Sequence, residues 1–244
     1  MRLFVLLYGL VCYGLFLFTF LYQIGFISGF VVPKTIDSGE AGAATASIVV
    51  NVLLLGLFAV QHTIMARLGF KRWWTTIIPK PIERSTFVLL TNAVLLLMNW
   101  QWRPMPEAIW SIESTAGRGI VYVIAALGWV LVLYSTLLIN HLDLFGMRQV
   151  WLHFNERPYT PVRFKESVLY RWVRHPLMLG FLVAFWATPD MSQGHLLFAI
   201  VTTAYILVAV RIEERTLVAL HGEDYVRYRK RVPMIVPWPP RTES

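Results

Sequence analysis

In the last third of this chain, strong charges are fused directly to membrane-grade apolar sequence. Tyr170-Arg-Trp-Val-Arg-His-Pro-Leu-Met-Leu-Gly180 leads into two short apolar segments. Arg211-Ile-Glu213-Glu214 follows them, then Gly222-Glu-Asp-Tyr225 and a basic tail reaching Val232-Pro233. Ionisable groups at a bilayer are expensive, and they mark functional sites by default. Gathered at one membrane face, they suit a polar cofactor site built at the lipid boundary. A second group, Asn140, His141, Asp143, Arg148 and Gln149, sends five polar side chains to that face just before the first. An imidazole, a carboxylate and a guanidinium are the types needed to accept a proton and to stabilise an anion. A third candidate is Gln61-His62, near the end of an apolar segment, where a hydrogen bond between packed helices explains the histidine as well as function does.

Bland readings stand beside these. Arg174 and His175 can snorkel at an interface, and Glu213 and Glu214 can pair with Arg211 and Arg215. His153, His195 and His221 fall in loops or the tail and read as solvated. No two histidines have zinc-ligand spacing and no cysteine joins them, so no metal is expected. Trp73, Trp74, Trp100, Trp102 and Trp151 near segment ends read as an interfacial belt.

Composition sets the solvent. Of 244 residues 57% are hydrophobic and only 15% charged, against about a quarter charged in soluble domains, so the chain reads as an all-α integral membrane protein. Without repeats or a soluble insertion, 1–244 reads as a single membrane domain. Residues 1–140 form its four-span half, and residues 141–244 its catalytic, cofactor-binding half. The first apolar segment is long and lacks a small-residue cleavage site, so it reads as a retained span. Cys12, the single cysteine, lies within it and can form no intrachain disulfide.

A hydrocarbon core about 30 Å thick needs about 20 apolar helical residues. Leu3–Ile27, Ala46–Met65, Phe87–Trp102 and Ile120–Ile139 approach that length. Leu177–Thr188 and Leu196–Val210 are shorter, forming a helical hairpin turned at Pro189, Asp190 and Gly194. The fifth segment reaches across only if it continues back through Val168–Arg174, with Pro176 as a kink. About six crossings put both termini on one side. Of 22 Lys and Arg, all but Lys34, Arg103 and Arg118 then gather at that face. The positive-inside rule makes it the cytosol, with the chain multi-pass in the bacterial inner membrane. The formal charge of +8 is therefore an orientation signal. Nucleic-acid binding would need a basic soluble domain.

Arg174-His175-Pro176-Leu177-Met178-Leu179-Gly180, Glu213-Glu214, Gly222-Glu-Asp-Tyr225-Val-Arg-Tyr228 and Val232-Pro233 together resemble the isoprenylcysteine carboxyl methyltransferase and phospholipid methyltransferase superfamily. The resemblance implies an S-adenosylmethionine site at the cytosolic ends of the last two helices. It carries cofactor contacts onto Tyr170, His175, Pro176, Leu177, Met178, Glu213 and Glu214, with Gly180 allowing close backbone approach. Met178 stands where the superfamily commonly has an aromatic, which removes any stacking there. His141-Leu-Asp143-Leu-Phe-Gly146-Met-Arg148-Gln149, with Gly25-Phe26 and Val32-Pro33-Lys34-Thr35-Ile36-Asp37, is similar to the bacterial methanethiol S-methyltransferase family, grouped with nurim-type membrane proteins. That resemblance implies methylation of methanethiol to dimethyl sulfide.

Such chemistry sets requirements. A thiolate is the nucleophile, and an alkyl thiol is mostly protonated at neutral pH. His141 is the expected base, oriented by Asp143, with Arg148 lowering the thiol pKa and His62 the alternative base. Gln149 and Arg211 are candidate substrate contacts. The alternatives keep the cofactor but change the acceptor to a prenylcysteine carboxylate or phospholipid amine, or make the chain a non-enzymatic nurim-like scaffold. A transporter would show internal repeats.

Overall fold

Backbone polar groups in hydrocarbon must find partners within their own segment, which makes each long apolar run a helix. The computed structural model describes residues 1–161 and 168–237. Arg163, Lys165 and Arg241 of the basic clusters lie outside the described residues. Helices α1 (Arg2–Ser28), α2 (Ala44–Ala66), α4 (Glu83–Gln101), α5 (Thr115–Ile139) and α9 (Gln193–His221) are long and apolar enough to cross a bilayer, α4 together with the 3-10 turn Lys80–Ile82 before it. The short helices are α3 (Leu68–Trp74), α6 (His141–Leu144), α7 (Met147–Phe154), α8 (Pro176–Trp186) and α10 (Glu223–Arg231). Two brief strands, β1 (Ala108–Ser111) and β2 (Asp190–Ser192), complete the described elements.

The expected hairpin is unequal. Helix α8 has 11 residues, about 16 Å at the helical rise, and Val168–Arg171 is a separate 3-10 turn. Pro176 does not kink a longer helix. It sits in the first turn of α8, where the missing N–H is no loss and the fixed φ favours the helix. Helix α9, by contrast, runs on past Val210 for a total of 29 residues. At about 43 Å it exceeds the hydrocarbon thickness, so Arg211, Glu213 and Glu214 are helical residues.

The described chain forms two units. The first holds Met1–Ile109, Asn140–Val162 and Met191–Phe198. Its α1 buries Val5, Gly9, Cys12, Thr19, Gln23 and Phe26 at helical spacing, while Phe4, Leu7, Val11, Phe18 and Leu21 stay exposed. With its large apolar side chains mostly outside and glycine, cysteine, threonine and glutamine among those inside, α1 is the inverse of a soluble helix and matches lipid as solvent. Helix α7 closes on α1 at Gly9, where an added Cβ would sit 2.5 Å from Val150 Cγ2. In the belt, Trp73, Trp100 and Trp151 are exposed as expected. Trp102 is instead buried between the rings of Phe26 and Phe198. His195 also departs from its expected solvated loop: it is a buried residue of α9, its N–H bonded to Ser192 Oγ.

The second unit holds Trp110–Ile139, Arg163–Asp190 and Ala199–Ser244. Here α5 lies against α8. A Cβ on Gly180 would meet Gly128 O and Val132 N, each at 2.8 Å, and one on Gly128 would meet Ala184 N at 2.7 Å. Small residues let two helices approach to backbone contact. Thus α5 belongs with the last third of the chain, whereas the segment from Asn140 packs back on the N-terminal helices.

Candidate functional site

In the second unit, two backbone bonds tie the start of α8 to the C-terminal segment. Arg174 N–H donates to Pro233 O at 2.9 Å and His175 N–H to Met234 O at 3.1 Å. The Arg174 guanidinium donates from Nε to Glu214 Oε1 at 2.6 Å, to the Arg229 carbonyl at 2.8 Å, and to the Val232 carbonyl. His175 Nε2 shares the same Glu214 oxygen at 3.2 Å, and its Nδ1 lies 3.7 Å from Glu213 Oε2. The glutamate side chains differ sharply: Glu214 is 8% exposed and Glu213 52%. Neighbours on one helix turn to different sides, so Glu214 is consumed by internal ion pairs while Glu213 keeps an open carboxylate face. Neither pairs with Arg211 or Arg215 among the described bonds.

Around this core, Tyr228 OH donates to the Tyr170 carbonyl at 2.7 Å, and Tyr225 and Tyr228 are buried with Val232. Burial, then the Glu213 carboxylate, raises the Tyr170 phenol well above its ordinary value. Burial, then Glu214, pushes Tyr225 up to about 12. Met178 and Leu179 pack on Ile206, Val210 and Ile235. Pro176 is buried and Leu177 half-buried. The first N–H groups of a helix have no intrahelical acceptor, so α8 offers donors at Leu177 and Met178 beside His175. Gly180 spends its open face on α5. Arg211 is exposed.

In the first unit, Asn140, at φ 142°, caps α6 by accepting the Asp143 N–H at 3.1 Å. Asparagine tolerates positive φ better than most residues. Gly146, at φ 87°, passes so close to Ser85 that a Cβ would lie 2.7 Å from the Ser85 nitrogen. These two positions turn the chain sharply and group the polar side chains. Arg148 donates to Asp143 Oδ1 at 2.9 Å and to Thr160 O and Oγ1, each at 2.7 Å. Tyr159 OH donates to Asp143 Oδ2 at 3.3 Å, and Gln149 Nε2 to the Asp143 carbonyl at 3.1 Å. Arg84 donates to Leu144 O at 2.6 Å.

His141 Nε2 meets Tyr13 OH at 2.8 Å, its ring edge-on to Tyr13 and close to Phe145. Burial lowers the His141 pKa. The carboxylate of Asp143 goes to Arg148 and Tyr159, and Tyr13 is one partner that orients the imidazole. Neither Tyr13 nor Tyr159 was legible as a site residue. Tyr13 is 128 positions from His141, and no local pattern links them. Arg174 stood in the motif, but only folding shows it as the clamp of Glu214.

His62 lies among aromatic rings, 5.3 Å from Phe58 and 4.9 Å from Phe87, its Nδ1 buried without a hydrogen-bond partner among the described residues. Gln61 Nε2 donates to Thr91 Oγ1 at 3.4 Å. Phe87 belongs to one apolar cluster with Phe16 and Phe145, both ring neighbours of His141.

Comparison with known proteins adds an independent line. The chain is 54% identical over 240 residues to a methanethiol S-methyltransferase of Mycobacterium tuberculosis, covering 98% of each chain. It is 52% identical to a methanethiol S-methyltransferase of Crocosphaera subtropica, covering 97% of this chain and 93% of the relative. Nurim of Danio rerio is 26% identical over 71% of this chain and 66% of its own. No protein-family model matches the sequence, and no solved structure does.

Proposed function

The chain belongs to the methanethiol S-methyltransferase family, and from that premise we propose that it methylates methanethiol to dimethyl sulfide with S-adenosylmethionine as donor. The observation that carries the donor assignment is the unequal glutamate pair. Glu214 is held in ion pairs with Arg174 and His175, and the exposed Glu213 carboxylate can bind an ammonium or ribose hydroxyls. The α8 N–H donors at Leu177 and Met178 suit a carboxylate or adenine. Tyr170, beside Glu213, closes the same region. When bound, this donor supplies an electrophilic methyl group on a sulfonium.

The chain's own task is to align a thiol and remove its proton. We assign proton acceptance to His141, whose neutral form is favoured by a pKa that burial lowers, and whose Nε2 partner Tyr13 can relay a proton by giving its own to the imidazole as it receives the thiol's. Arg148, already paired with Asp143, adds positive charge that favours a thiolate. Gln149, whose Oε1 is buried without a partner among the described residues, is a candidate thiol contact, as is Arg211. His62 is the second candidate base. The thiolate sulfur takes the methyl, the sulfonium leaves as a neutral thioether, and the thiol proton ends on the base. Alignment of the two sulfurs supplies much of the acceleration.

Orientation belongs to the same reading. The Lys and Arg bias supports cytosolic termini and a place in the bacterial inner membrane. The test is headspace assay of labelled dimethyl sulfide from purified protein given methyl-labelled donor and methanethiol. Product from the wild type, and much less from Glu213→Ala at donor concentrations near the wild-type affinity, supports the reading. Donor binding without product would move the acceptor to a lipid or prenylated molecule, and no donor binding would return the scaffold reading.

A further inference from the structure

One conspicuous stretch has no role in methyl transfer as assigned: Gly25-Phe26 with Val32-Pro33-Lys34-Thr35-Ile36-Asp37. In the first unit it folds as a cap over the C-terminal end of α1. Ile36 N–H donates to Phe26 O at 2.9 Å, both side chains are buried, and Asp37 accepts from Ser192. The cap fixes Lys34, whose Nζ donates to the Trp100 carbonyl at the end of α4. Arg103 is pinned just beyond. Its N–H donates to Asn51 Oδ1 at 2.9 Å and its carbonyl accepts from Asn51 Nδ2 at 2.8 Å, with Asn51 fully buried in α2.

Lys34 and Arg103 line an open cavity of about 510 Å³, together with Ser38, Glu40, Trp100 and Trp102. Among the described residues neither cation has an ion pair, Glu40 included. They are two of the three basic residues that stand apart from the main clusters. Burial and the neighbouring Arg103 charge hold the Lys34 ammonium below its ordinary pKa. Two like charges converging on one cavity cost free energy unless an anion joins them.

We propose that this cavity binds a phosphate group, supplied by an anionic phospholipid headgroup at that end of the membrane. A guanidinium fork and a lysine point charge together match a phosphate. The lipid source follows from the rim: Trp100 is exposed beside the exposed Leu97 on α4, an arrangement that seats an indole at headgroup level. Inorganic phosphate shares the chemistry and is the competing source.

The test titrates delipidated full-length protein in neutral detergent with phosphatidylglycerol, phosphatidylcholine or inorganic phosphate, following the thermal midpoint. Phosphatidylglycerol should raise it saturably. Lys34→Gln/Arg103→Gln should need at least about tenfold more lipid for the same shift, since each charged hydrogen bond carries that much. A saturable shift with inorganic phosphate, lost in the double variant, keeps the site and changes the source. An equal response in the variant, or one equal with phosphatidylcholine, overturns the proposal. Should the double variant not fold, native mass spectrometry of the wild type in an equimolar lipid mixture decides. Preferential retention of phosphatidylglycerol supports the site, and equal retention overturns it. The readout is independent of methyl transfer, so its failure leaves the proposed activity standing.

Discussion

Glu213→Ala and Glu214→Ala, one residue apart, should fail in different ways. Glu214 and Arg174 are 8% and 9% exposed, and one Glu214 oxygen takes both Arg174 Nε at 2.6 Å and His175 Nε2 at 3.2 Å. Breaking a buried pair by deleting one partner costs about 3–5 kcal/mol. Arg174 retains two carbonyl acceptors, at Arg229 and Val232, which places Glu214→Ala near the low end, about 3 kcal/mol. At about 2–4 °C per kcal/mol for a chain of this size, the midpoint should fall by about 6–12 °C. Glu213 is half exposed and 3.7 Å from His175 Nδ1, too far for a hydrogen bond, so its removal should cost about 0–1 kcal/mol of stability. Its loss should fall on S-adenosylmethionine affinity, about 10- to 100-fold for a charged hydrogen bond. Thermal unfolding and calorimetric donor binding on the same preparations separate the two. Equal midpoints for both variants would refute the division of labour, as would unchanged donor affinity in Glu213→Ala.

Three further outcomes follow from other contacts. Tyr13→Phe removes the hydroxyl at His141 Nε2 and should lower turnover about tenfold or more while donor affinity is kept; a parallel loss of donor binding would argue against the assignment. Gly180→Ala pushes a methyl group to 2.8 Å from Gly128 O and Val132 N and should destabilise by about 1–3 kcal/mol, visible as a lowered melting midpoint; an unchanged midpoint would mean α5 and α8 do not pack so closely. His141, whose pKa is lowered by burial, contributes stability that is present above its ordinary pKa of about 6.5 and lost as pH falls through the lower folded value. Wild type should therefore lose stability on acidification across that window more steeply than His141→Gln, and identical profiles would contradict the burial.

The length of the apolar runs was legible without a structure, because crossing hydrocarbon is a one-dimensional requirement on about twenty consecutive residues. Hence α1, α2, α4 and α5 fall where the sequence places them. So does the family, because His141 to Gln149 and Arg174 to Gly180 are local patterns. The limits of the hairpin were less legible. An apolar run says where hydrocarbon ends, not where a helix ends, so α9 carries its glutamates as helical residues and α8 starts abruptly at Pro176.

Pairing across the chain was decided only in three dimensions. Two adjacent glutamates are alike in sequence, and their roles divide because a helix turns successive side chains about 100° apart, one toward Arg174 and one away. One partner of His141, Tyr13, comes from α1, and the partner of α8 is α5, set by Gly128 and Gly180 as meeting points for two backbones. The sequence by itself determined the solvent, the spans and the chemical repertoire, since these depend on composition and local order. Tertiary structure decided which carboxylate is buried in ion pairs and which stays exposed, because that depends on packing between segments far apart in the chain.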